Sequence, residues 1–172
     1  MNFWRIVPGR KEVRSTTLGK FIHEDYIAIG WNPVRDLTDV SEDDLETVCR
    51  RDLQGWDEDQ IAAAIRAFRL FRYRMDLDDY IVVSADGFVY AIGQIKSFYY
   101  KEEEPSDMPE EIWNLGFWSH YHRRKVKWIR VMKVPFTDLP DNVRTKLGLP
   151  PVIVKLSVDE WLALMSALLQ KT

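Results

Sequence analysis

The segment that most narrows what this chain can fold into runs from Asp79 to Tyr100. Two apolar, β-branched runs, Tyr80 to Ala85 and Phe88 to Ile95, flank Asp86-Gly87. That dipeptide suits a type I′ turn, which needs positive φ at both central positions, so the segment reads as a tight antiparallel hairpin. Both runs are apolar throughout and do not alternate, as expected of central strands covered on each face. Gly93 interrupts the second strand and predicts a bulge or a sharp bend. Three aromatics, Phe98, Tyr99 and Tyr100, leave that strand together, and the alternation of side chains along a strand forbids all three from pointing inward.

Short strands and amphipathic helices surround this hairpin, and the chain reads as an α+β protein. Phe3 to Val7 reads as a strand stopped by Pro8-Gly9, and Tyr26 to Trp31 as a second strand ended by Asn32-Pro33. Arg10 to Lys20 is a loop or a short helix. Ser41 caps a helix whose inner side carries Leu45, Val48, Cys49 and Leu53. A longer helix starts at Asp57, with Ile61, Ala64, Ile65, Phe68, Phe71 and Met75 inward and Arg66, Arg69 and Tyr73 outward. His122 to Val134 is a long strand whose alternation blurs at Ile129-Arg130-Val131, as if both faces were covered there. A short helix, Leu139 to Leu147, and a last strand, Pro150 to Leu156, follow. Ser157-Val158-Asp159-Glu160 is a capping box opening a final helix, with Val158, Trp161, Leu162, Met165, Leu168 and Leu169 on one face. A length of 172 residues suits one domain spanning 1–172. The N-terminus lacks the apolar core of a signal peptide, and no apolar run reaches the ~20 residues of a membrane span, so a cytoplasmic protein is expected.

Charge and aromaticity bound the function. The net charge is −3, yet the distribution is polarised. Acid concentrates in Asp36 to Glu46 and Glu102 to Glu111, whereas no acidic residue occurs from Trp113 to Thr137. Arg123, Arg124, Lys125 and Lys127 cluster in that basic stretch and are the candidate phosphate contacts. Seven Trp exceed what a core of this size needs, so some are expected at a surface or a pocket. Trp31 ends a strand beside Gly30 and Asn32, Phe98 and Tyr99 leave the hairpin, and Trp118 precedes the basic strand. Rings grip a planar base by stacking, worth ~1–3 kcal/mol per base, and a side-chain amide can read its edge. Trp31, Asn32, Phe98, Tyr99 and Trp118 are therefore the candidate base pocket.

Catalytic patterns are sparse. Cys49, the one cysteine, reads as a small core residue. His120-x-His122 is the one histidine cluster, short of the three or four ligands a metal site needs. No Ser-His-Asp order and no glycine-rich phosphate loop occurs. Asp78 or Asp79 with Gln94-Ile95-Lys96 faintly resembles a PD-(D/E)xK nuclease, in which carboxylates hold Mg²⁺ and Lys assists the attacking water. Glutamine stands where that motif has an acid.

Taken together, the strand ending in Gly30-Trp31, two helices, the hairpin with its Tyr-Ala-Ile-Gly-Gln-Ile return strand, and His-Arg-Arg-Lys-Val-Lys-Trp at 122–128 resemble the EVE/YTH-like branch of the PUA superfamily. The nearest likeness is to the N-terminal modified-DNA-recognition modules of McrB-type restriction systems. The resemblance covers nearly the whole chain. It implies a partly open β-barrel flanked by helices that receives a flipped or single-stranded modified base in an aromatic cage. Trp31 would be one cage wall, with Asn32 at the base edge and a second wall from Tyr99, Phe98 or Trp118. It also implies a non-catalytic module without cofactor, possible as the N-terminal part of a larger protein, working with a nuclease or AAA+ motor. Asp78-Asp79 departs from the usual Gly-Asp at the hairpin entrance. An RNA-binding module of the same fold without modification preference, the nuclease, and a protein-interaction module are the alternatives.

Overall fold

Asp86 and Gly87 both take positive φ, 50° and 80°, and close the expected hairpin between β3 (Tyr80–Ala85) and β4 (Phe88–Ile95). The computed structural model describes residues 1–9, 11, 14–31, 33–102 and 121–170. The hairpin occupies the middle of a seven-stranded sheet, completed by β1 (Phe3–Ile6), β2 (Tyr26–Ile29), β5 (Tyr100–Lys101), β6 (His122–Pro135) and β7 (Ile153–Leu156). Strand order is β2-β6-β4-β3-β1-β7, with β5 pairing β6 as well. β1 runs parallel to β3, and every other pairing is antiparallel. The sheet curls into a half-barrel flanked by helices, an α+β architecture.

Gly93 is required by the curl. A Cβ there would come 2.4 Å from Val126 Cγ1 and 2.8 Å from Trp128 Cε3, so the glycine lets β6 cross β4 closely. The β4–β6 register jumps at this point, from Gly93 opposite Trp128 to Ile92 opposite Arg130. Ile129 is the extra residue of that bulge, which accounts for the blurred alternation. It does not bury both faces: Ile129 and Val131 are exposed.

Two apolar clusters cover the sheet. The larger is built by β1 to β4 with α1 (Arg14–His23), α2 (Leu45–Asp52) and α3 (Glu58–Phe68). The smaller joins Val82, Val89, Ile92 and Leu156 to α4 (Asp141–Leu147) and α5 (Val158–Leu169). Ser157 and Glu160 form the expected capping box of α5. The face of α5 differs from expectation. Trp161, Leu164 and Leu168 go inward, while Val158, Leu162 and Leu169 stay exposed. The long helix from Asp57 is also interrupted, because after Phe68 the chain widens into a π-turn, Arg69–Arg74. Among the described residues no helix is long and apolar enough to cross a membrane.

Candidate nucleic-acid interface

Ile29, the last residue of β2, lies opposite His122, the first residue of β6. Trp31 follows two residues on, at φ 65°. A bulky residue in the left-handed region is an outlier that persists only where its surroundings hold it. The indole is half-buried and rests on Phe68, ring centroids 5.9 Å apart.

The loop after Trp31 is tied down from three elements. Val34 N–H donates to Trp31 O at 3.0 Å, and Lys101 Nζ donates to Val34 O at 3.0 Å. Arg72 of the π-turn donates to Leu37 O and Thr38 O, and the Tyr73 hydroxyl donates to Val40 O. Tyr73 thus packs on this loop and does not face away. Tyr99 Oη accepts from Leu37 N–H at 3.2 Å and lies 2.7 Å from His122 Nδ1.

His122 is 0% exposed. Burial pushes its imidazole down to about 3, with the Lys101 charge acting in the same direction. It is therefore neutral at physiological pH. The Tyr99 hydroxyl can donate to Nδ1 or accept from it, the direction following the tautomer of the ring. Nε2 is buried without a hydrogen-bond partner, and the backbone of Trp31 and Val34 acts on the ring in the opposite direction to burial, favouring its charged form. Tyr99, proposed from sequence as a cage wall, is buried behind the loop and braces it.

Phe98 is the opposite case, 63% exposed. Its loop is pinned to β6, with Lys96 N–H donating to Lys125 O and Lys125 N–H to Ser97 Oγ. The registers set the two apart along β6: Trp31 lies beyond the residue paired with His122, whereas the Phe98 segment runs alongside Lys125. Asn32 and Trp118 lie outside the described residues.

The four cations separate sharply. Arg124 is 1% exposed and its guanidinium donates to Phe71 O (2.7 Å), Arg72 O (3.3 Å), Met75 O (2.9 Å) and Ser97 O (3.1 Å). It caps the carbonyl end of the π-turn, so the expectation that it contacts phosphate is corrected. Burial, with Arg72 nearby, lowers it only to about 10, and it stays charged. Arg123 lies over the Tyr26 ring at 4.3 Å and pairs with Glu102 at 3.4 Å. Lys125 and Lys127 are exposed, and among the described residues neither has an ion-pair partner. The alternation of β6 held the signal for Arg124, which shares parity with Val126 and Trp128.

The candidate nuclease residues are engaged otherwise. Asp79 is buried and accepts from Asn2 N–H (2.6 Å), Trp4 Nε1–H (2.8 Å) and Asp76 N–H (3.1 Å), with Asn2 Nδ2 at 3.2 Å. Burial alone would raise its carboxyl, but those donors outweigh it and hold the group below the usual carboxylate range. Lys96 pairs with Asp78 at 2.5 Å. Among the described residues no three His, Cys, Asp or Glu side chains are grouped to hold a metal ion.

Solved structures similar in fold to this chain include YTH domains. The Mmi1 YTH domain aligns with a TM-score of 0.50 at 10% identity, covering 99% of this chain and 89% of that one. A second structure of that domain gives 0.50 at 11%, covering 100% of both chains. The YTH domain of Zygosaccharomyces rouxii MRB1 protein in complex with N6-methyladenosine RNA aligns with a TM-score of 0.45 at 15%, covering 96% of this chain and 84% of that one. At these identities the likeness is one of fold, and the fold is YTH-like. No curated protein matches the sequence. The profile of one family, described as a domain of unknown function (DUF8426), matches residues 4–148, most of the chain, and the protein belongs to that family.

Proposed function

We propose that this protein is a non-catalytic nucleic-acid reader that stacks a modified base on Trp31. The observation that carries the reading is the state of Trp31 itself. A half-exposed indole stands in a left-handed conformation at the start of a loop tied down by polar contacts, on a YTH-like fold. Strain of that kind is kept where a site needs a ring presented in one orientation. Phe98, on the segment alongside Lys125, is the exposed ring available as a second wall, and Asn32 and Trp118 complete the proposed pocket. Lys125 and Lys127 supply the phosphate contacts, with Arg123 limited by its pairing to Glu102.

Methylated DNA is the proposed substrate, and a nuclease or AAA+ motor in the same system the partner, on the likeness to McrB-type modules. A non-catalytic role is supported by Asp79, whose oxygens are occupied by protein donors that a Mg²⁺ ion would have to displace.

A binding panel tests this: DNA and RNA oligonucleotides carrying N6-methyladenine, 5-methylcytosine, 5-hydroxymethylcytosine or no modification. RNA is included because N6-methyladenosine RNA is the ligand of the Zygosaccharomyces rouxii YTH domain. Preference for one modified oligonucleotide over its unmodified twin is expected. Equal affinity across the panel contradicts the reading, and Mg²⁺-dependent cleavage lost in both Asp79→Ala and Lys96→Ala replaces it with the nuclease.

A further inference from the structure

We infer that His122, working through Tyr99, is the positioning residue that keeps Trp31 in its left-handed conformation, and that selectivity for the modified base depends on it. The inference rests on the reading of Trp31 as a pocket wall.

Left-handed backbone is disfavoured for a bulky L-residue, so something must oppose relaxation at Trp31. His122 is placed to do so in two ways. It holds the Tyr99 hydroxyl, which accepts from Leu37 N–H in the loop that follows the turn closed by Val34 N–H on Trp31 O. Its ring edge also meets Phe68 at 4.6 Å and 76°, and Phe68 carries the Trp31 indole. The imidazole itself is fixed by the sheet, since His122 pairs with Ile29 on one side and Lys101 on the other. Tyr99 ties that ring to the loop: without its hydroxyl, Leu37 N–H loses its acceptor and His122 Nδ1 its partner.

The order is therefore Leu37 N–H to Tyr99 Oη, Tyr99 Oη to His122 Nδ1, and the His122 ring edge to Phe68, which carries the Trp31 indole. Relaxation of this turn would swing the indole without touching Lys125 or Lys127. Discrimination between modified and unmodified bases falls, while the affinity that comes from phosphate persists.

The test compares wild type with Tyr99→Phe, His122→Phe and His122→Gln. Tyr99→Phe removes one hydroxyl and keeps the ring, and His122→Gln keeps a polar side chain that can meet the Tyr99 hydroxyl. Hydrogen exchange is measured over residues 33–38 and over α5, alongside affinity for the modified and unmodified oligonucleotides of the panel. Exchange at 33–38 should rise about tenfold or more in Tyr99→Phe and His122→Phe, the loss of one buried hydrogen bond, with α5 unchanged and partial recovery in His122→Gln. The ratio of modified to unmodified affinity should fall with it, at an unchanged salt slope. Unchanged exchange at 33–38 in both Tyr99→Phe and His122→Phe overturns the inference. So does a rise shared equally by α5, or a loosened turn with an intact affinity ratio. If wild type discriminates nothing, the reader itself fails, and the exchange arm still decides whether His122 holds the turn.

Discussion

Two buried polar hubs stand at different corners of this sheet, Asp79 at the entrance to the central hairpin and His122 at the start of β6. Asp79 is saturated by Asn2, Trp4 and Asp76, and the groups it organises are the N-terminal strand and the turn before β3. His122 has one side-chain partner, Tyr99, and a second nitrogen left without one, and its ring meets the Phe68 that carries a half-exposed, strained tryptophan. Saturation marks a hub that closes the fold. Incomplete satisfaction beside backbone strain marks one that holds a site. The same contrast divides neighbours on one strand: Arg124 is used up inside, and Lys125 is left in water.

That comparison breaks first where a saturated hub is removed. Asp79→Ala should cost about 3–5 kcal/mol, because Trp4 Nε1–H and two backbone N–H groups lose a charged acceptor in a buried setting. Arg124→Ala should cost a similar amount, stranding four carbonyls. Urea unfolding would measure both, and base selectivity of whatever remains folded should be untouched. A loss under ~1 kcal/mol at Asp79 would remove it as a structural hub.

The pH dependence sharpens the contrast. His122 has a folded value pushed down to about 3 from an ordinary 6.5, so below 6.5 the unfolded chain binds one proton more. Stability should fall as pH drops from 6.5 toward 3, by about 1.4 kcal/mol per unit at full slope. Asp79, with its lowered carboxyl, acts in the same direction but only below its unfolded value of 3.8. The range between roughly pH 6 and 4.5 therefore reports chiefly on His122, and His122→Gln should flatten it. An identical slope in that variant would show that the histidine carries the same charge in the folded and the unfolded chain.

The smallest effect is expected at the surface. Lys125→Ala and Lys127→Ala should leave stability within about 0.5 kcal/mol. Each should reduce the salt slope of binding by roughly one, equally for modified and unmodified oligonucleotides. A change confined to the modified base would move these lysines into the pocket.

How legible this was in the sequence follows the range of the interactions. Asp86-Gly87 and the Ser157–Glu160 box are local, and both stand where their chemistry put them. Gly93 was legible as a break, though the reason, Val126 and Trp128 crossing above it, lies on a distant strand in sequence. The fate of Arg124 was half-visible: β6 alternation put it inward, but the acceptors that make an inward arginine tolerable belong to a π-turn that no apolar periodicity announces. Tyr99 was recognised as an unusual aromatic and given the wrong face, because strand parity was lost in the irregular step from β4 to β5. The Tyr99–His122 pair joins residues with no shared pattern, and only the fold brings them together.

The central claim is that Trp31 is a wall of the base pocket and not part of the core, and Trp31→Ala beside Trp128→Ala tests it most directly. Trp128 packs over Gly93 and donates its indole N–H to Phe21 O at 3.0 Å, as a structural tryptophan does. Its loss should cost about 3–5 kcal/mol of stability. Trp31→Ala should fold with a melting temperature near wild type and lose ~1–3 kcal/mol of binding, mainly for the preferred modified oligonucleotide. Collapse of the fold in Trp31→Ala comparable to Trp128→Ala, or a well-folded Trp31→Ala that still prefers the modified base as wild type does, would contradict the account.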